Sequence, residues 1–118
     1  MEKPVLDALS PYIAALPTGT RINVNTAPAA VLRSLDDSIS DGDVARLEEE
    51  RAGGGFADII NTFSPFASID VNALEDSSEY FRLLVVVRID TVRVTFFSVL
   101  KRDANGSVVP LVRSLGTF

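Results

Sequence analysis

The side chains in this 118-residue chain that could do chemistry are mostly carboxylates. Histidine and cysteine are both absent. Their absence removes the commonest general base, the serine–histidine triad, thiolate nucleophiles, cysteine zinc sites and disulfides. Asp36 with Asp37, and Glu48, Glu49 and Glu50, are carboxylates close enough in sequence for acid–base work. Such work needs two carboxyls in different surroundings, so that one keeps its proton while the other is ionised. Nothing nearby sets these apart, and both groups fall in polar runs that read as solvated surface. An enzyme is therefore not expected.

A second cluster is Asp70, Asn72, Glu75 and Asp76. Oxygen ligands at such spacing could hold calcium, which takes six to eight of them. The calcium candidates are Asp70, Asn72 and Asp76. They depart from the EF-hand pattern, because the glycine and the terminal glutamate are misplaced, and a solvated loop accounts for the same residues. Gly53-Gly54-Gly55 could suggest a phosphate cradle. It follows a helical run rather than opening one, and it lacks a P-loop lysine, so it reads as a helix C-cap and turn.

Apolar spacing gives the elements that must position these groups. Val5, Leu6, Leu9, Tyr12, Ile13 and Leu16 recur at three- and four-residue intervals, which predicts helix over residues 4–16. Pro11 interrupts it, so Ser10-Pro11 could also cap a second short helix. Leu16-Pro17-Thr18-Gly19 is a stop. Ile22-Asn23-Val24-Asn25 then alternates like a short strand. Thr26 is placed to cap a helix at about 28–35, with Ala27 and Pro28 in its first turn and Val31, Leu32 and Leu35 inward. Ser40 heads a further helix, with Asp43 closing a capping box, Val44 and Leu47 pointing inward and Ala45 beside them. A short helix over 57–62 would bring Ile59, Ile60 and Phe63 to the core. Phe66, Ile69, Val71 and Leu74 anchor an irregular segment after it.

From Glu79 the period changes to two. Alternation runs through Tyr80–Ile89, reverses near Asp90-Thr91, and resumes from Val92 to Lys101. Asn105-Gly106 is a hairpin signal, and Val108–Leu115 completes a three-stranded antiparallel meander, with Pro110 marking an edge or a bulge. The fold class expected is α+β, with a small helical subdomain over 1–76 and the sheet over 77–118. Both faces of the first two strands carry apolar side chains. One should be covered by the helical part, and the other needs cover from elsewhere.

The net charge is −5, which disfavours general binding to nucleic acid or to an anionic membrane. It is unevenly spread: −9 over residues 1–79 and +4 over 80–118. Two solvated faces would give this split, and so would two parts with different surroundings. No run is apolar and long enough to span a bilayer.

The stretch Ile22-Asn23-Val24-Asn25-Thr26-Ala27-Pro28, with Val31-Leu32 after it, resembles the signature of the K-class minor pseudopilins of type II secretion systems (general secretion pathway protein K). Leu16-Pro17 with Thr20-Arg21 is similar to the family's lead-in. Arg51 with Phe56 resembles its helix end. Ser78-Glu79-Tyr80-Phe81-Arg82-Leu83 and Phe97-Ser98-Val99-Leu100-Lys101-Arg102 resemble its strand motifs. The resemblance implies a SAM-like, helix-hairpin-helix-like subdomain followed by a pilin-type sheet. It also implies a fragment, with a leader and a long inner-membrane helix upstream of Met1. The function implied is non-enzymatic: a periplasmic pseudopilus-tip component that binds the I-class and J-class minor pseudopilins. Calcium at Asp70, Asn72 or Asp76 is implied only by the family. The family's C-terminal cysteine pair is missing here.

The same stretch also resembles helix-hairpin-helix modules that bind DNA. Those meet phosphates with hairpin N–H groups and nearby lysines. The corresponding turn, Leu35 to Asp43, instead carries Asp36, Asp37, Asp41 and Asp43, which would repel phosphates.

Overall fold

The computed structural model describes residues 2–116. The fold is α+β, with short helices first and a three-stranded antiparallel sheet after them. The chain divides into a helical unit running to Ser77 and a sheet unit starting at Ser78.

The helical unit opens with α1 (Lys3–Leu9), followed by a 3-10 turn at Ser10–Tyr12. Pro11 splits the predicted helix, and the helical run ends at Tyr12 instead of reaching Leu16. No residue of either piece is buried. Strand β1 (Ile22–Asn23) follows. Thr26 does not cap the next helix. Asn23 instead folds the chain back on itself: its side-chain Oδ1 accepts from Asn25 N at 3.0 Å, and its carbonyl accepts from Ala27 N at 3.0 Å. Asparagine closes such turns on backbone two residues ahead. The turn consumes Thr26 and Ala27, so α2 (Ala29–Arg33) starts late, with extended Pro28 at its N-cap and no side-chain cap bond.

Helix α3 (Asp41–Ala52) carries the capping box expected of Ser40 and Asp43. Ser40 Oγ accepts from Asp43 N at 3.2 Å, and Asp43 Oδ2 accepts from Ser40 N at 3.0 Å. Replacing Ser40 with alanine is expected to lower stability by about 1 kcal/mol, read as a shift of the urea midpoint. Alanine at exposed Glu49 is expected to leave that midpoint in place.

Helix α4 (Ile59–Phe63) begins two residues later than predicted, because Asp58 caps it by accepting from Asn61 N at 3.0 Å. The expectation that Ile60 is a core residue fails: it is 64% exposed. Ile59 and Phe63, four residues apart, share the inward side of this short helix. Ala45 on α3 is exposed as well.

Strand β2 (Leu74–Glu75) then pairs in parallel with β1, setting Ile22 opposite Leu74 and Asn23 opposite Glu75. Around this pair closes one apolar core. Val24, Leu32, Ile39, Leu47 and Phe63 are its fully buried side chains, and Phe56 meets Phe63 edge to face at 5.4 Å. Each contributes about 1.5–3 kcal/mol of burial.

The sheet unit comprises β3 (Tyr80–Ile89), β4 (Val92–Arg102) and β5 (Val108–Leu115), ordered β3-β4-β5. Asp90 and Thr91 make the first reversal, with Asp90 at φ +52°, a conformation aspartate tolerates. Gly106 at φ +84° makes the second. Pro110 meets both of its predicted conditions. It lies on an edge strand, and the register slips beside it, since Val99 faces Val112 while Leu100 faces Pro110. The residues of the three strands are half-buried or exposed, with the middle strand β4 the more buried.

Candidate interaction surfaces

The turn after β1 is held by side chains from distant parts of the helical unit. Arg51, near the end of α3, donates from Nη1 to the carbonyls of Val24 at 3.0 Å and Ala27 at 2.5 Å. Its Nη2 reaches Glu48 at 3.3 Å. Asn25 Oδ1 accepts from Phe56 N at 2.8 Å, and its Nδ2 donates to the Asp76 carbonyl at 3.3 Å. Gly55 sits against this amide at φ +98°, where an added Cβ would lie 3.0 Å from Asn25 Nδ2. Glycine is therefore required twice, by the backbone angle and by the approach. The triple glycine is thus a turn that packs on Asn25, with Gly53 as the C-cap of α3. The partners of Arg51 and Asn25 are backbone groups dozens of residues away, so no local pattern announced them.

The hairpin between α2 and α3 is acidic, as the sequence shows, and Asp36, Asp41 and Asp43 are already engaged. Asp36 is 7% exposed. It accepts from the Ser38 amide and hydroxyl, each at 2.7 Å, and from Ser68 N at 2.9 Å. The Ser38 hydroxyl, then the Ser38 and Ser68 amides, hold the Asp36 carboxyl below its usual range. The Ser40 hydroxyl does the same for Asp43. Asp41 lies 3.5 Å from Arg33. The amides of Ser38, Ser40 and Asp43, which could have met a phosphate, donate to this hairpin's own side chains.

A depressed folded pKa gives stability that is complete above the unfolded value, about 3.9 for aspartate, and is lost as pH falls through the folded one. Stability is therefore expected to fall from about pH 5 downward. Asp36→Asn should start lower at neutral pH and lose less over the same acid range. Urea unfolding at several pH values checks both slopes.

The calcium candidates are only partly brought together. Asp70 Oδ1 accepts from the amide and the side-chain Nδ2 of Asn72, both at 3.0 Å, and so caps a 3-10 turn at Val71–Ala73. Asp76 is exposed and contributes its backbone carbonyl to Asn25. Glu75 pairs with Arg21. Among the described residues no three carboxylates gather as a metal site. Glu50 accepts from the Thr62 hydroxyl at 3.0 Å.

The sheet presents two unlike faces, because residues opposite one another across strands share a face. Phe81 with Leu100, Val85 with Phe96 and Val87 with Val94 make one face apolar. The other carries Tyr80 opposite Lys101, Arg82 opposite Val99, Leu84 opposite Phe97, and Arg88 opposite Arg93. Arg82 stacks over Phe97 at 5.6 Å, and Lys101 over Tyr80 at 5.9 Å. Strands β3 and β4 place no carboxylate on that face.

A helical unit closed around one apolar core and a three-stranded antiparallel sheet with one apolar and one basic face define an α+β protein. Residues 22–77, just under half of the chain, match the family described as type II secretion system (T2SS), protein K, and this match supports a K-class minor pseudopilin. The matched segment runs from β1 to just past β2, so it contains the whole closed core. The match supports a role in type II secretion. Comparison with curated proteins returns no match. No helix among the described residues is long and apolar enough to cross a membrane.

Proposed function

We propose that this chain acts in type II secretion as a non-enzymatic minor pseudopilin at the tip of the pseudopilus. It works by contact with the other minor pseudopilins, of the I and J classes. It lies in the periplasm and is held to the inner membrane through an N-terminal helix outside this sequence. The two units described at Ser77 and Ser78 serve as a helical cap and a docking sheet.

The observation that carries this is the protein K match over the closed core. The sheet supports it. An exposed apolar face on a three-stranded meander is what an assembling subunit retains for its neighbours. The positive sheet unit and the negative helical unit give the assembly an electrical polarity.

Co-purification tests the proposal. The chain, extended to its full periplasmic domain, is mixed with the periplasmic domains of the I-class and J-class proteins. A complex that co-elutes at micromolar concentration is expected. Separate elution of all three at that concentration overturns the proposal.

A further inference from the structure

We propose that the outer edge of β3 accepts an extended segment of another protein as a fourth strand, one with two carboxylates six residues apart. The inference rests on the assembly reading only in taking the partner to be a protein.

The backbone supplies the first reason. In the order β3-β4-β5, no strand among the described residues pairs with the outer side of β3. Arg102 N donates to the Glu79 carbonyl at 2.7 Å. Antiparallel pairing alternates, so the odd-numbered residues of β3 turn their amides toward β4. Arg82, Leu84, Val86 and Arg88 turn theirs outward. That leaves a regular row of donors and acceptors facing away from the sheet.

The second reason is the lack of backbone protection at this edge. Proteins blunt free edges with proline, bulges, very short strands or charged side chains, and of these β3 carries only charge, all of it positive. The opposite edge has such a device, with Pro110 and the register slip on β5. Strand β3 has ten residues, with no proline, glycine or bulge. Within one sheet, the two edges are built differently.

Charge selects the occupant. Arg82 and Arg88 lie six residues apart on one face, and neither has an ion-pair partner among the described residues. Arg88 stands opposite Arg93, a like-charge pair that is unfavourable as it stands. A carboxylate added beside Arg88 would offset it. A second copy of β3 would bring two more arginines and no carboxylate, so self-pairing is disfavoured. On the other face Phe81, Leu83, Val85 and Val87 call for apolar neighbours. The segment that fits is apolar at alternate positions and acidic at two others, six apart.

A labelled peptide, Val-Glu-Val-Thr-Val-Thr-Val-Glu-Val, probes this by fluorescence anisotropy against the whole chain. The comparison peptide has lysine for both glutamates. The acidic peptide is expected to bind at least about fivefold tighter, the worth of two exposed ion pairs. The double variant Arg82→Glu with Arg88→Glu should reverse that preference. Val86→Pro, which removes an outward amide, should abolish binding. If Val86→Pro fails to fold, the charge reversal still decides. Equal binding of both peptides, an unreversed preference, or no binding at millimolar peptide overturns the inference. A failed peptide beside a successful co-purification removes the edge and leaves the assembly reading. The converse removes the assembly reading and leaves the edge.

Discussion

Phe63→Ala is expected to be the most damaging single truncation in the helical unit. Phe63 has no exposed surface and lies edge to face against Phe56. Removing a buried phenyl ring forfeits its transfer free energy and leaves a cavity, together about 3–5 kcal/mol. The walls here cannot collapse readily. Phe56 is fixed through its own amide to Asn25, and Leu47 stands on a capped helix. A unit this small holds on the order of 5 kcal/mol in total. The variant should therefore keep no more than about 2 kcal/mol of stability at 25 °C. Urea unfolding followed by far-UV circular dichroism is expected to show the midpoint of the helical signal lowered by more than half. Ile60→Ala, three residues earlier and mostly exposed, should leave the midpoint within about 0.5 kcal/mol of wild type. A wild-type midpoint for Phe63→Ala would mean that the core is not closed around this ring.

Arg51→Met is expected to cost about 3 kcal/mol for a different reason. Methionine keeps most of the stem but removes both bonds to the Val24 and Ala27 carbonyls. A hydrogen bond to a charged donor contributes about 1.5–3 kcal/mol, and a buried group left unpaired costs a similar amount. The side chain is only 16% exposed, so water replaces the guanidinium poorly. Lysine should recover part of the loss, because a point-like ammonium cannot reproduce the guanidinium's planar set of donors. Glu48→Gln should change little, since an exposed pair contributes at most about 1 kcal/mol. Amide exchange should locate the effect at the turn after β1. If Arg51→Lys equals wild type, the fork geometry does not matter.

Much of this architecture is visible in the residues themselves, and the parts that are not share a cause. The meander was legible because alternation is local. Tyr80–Ile89, the Asp90 reversal, the Asn105-Gly106 hairpin and the dual meaning of Pro110 all follow from neighbours within a few positions. The Ser40–Asp43 box was legible for the same reason. The cap assigned to Thr26 failed because two local devices compete there, and the Asn23 turn takes the backbone that a Thr26 cap would need. Ile60 failed because a five-residue helix buries too narrow a side for two adjacent isoleucines. The β1–β2 pair and the Arg51 hook could not be read at all. Their partners lie 52 and 24 to 27 residues apart, and a two-residue strand leaves no periodicity. The family signature covers these same residues, so the resemblance pointed to the site before its geometry was known.

The parallel contact of Ile22 with Leu74 has a consequence for how such a unit can be carried. Paired strands lie about 5 Å apart, so the chain enters and leaves the core at neighbouring points. A segment with adjacent ends asks no span of its host. It can be spliced into a surface loop of another fold, or have its ends joined and be reopened elsewhere, without redrawing its interior. Residues 22–77 are in this sense a portable cassette, closed at its base by a two-residue ladder beside the turn that Asn25 and Arg51 hold.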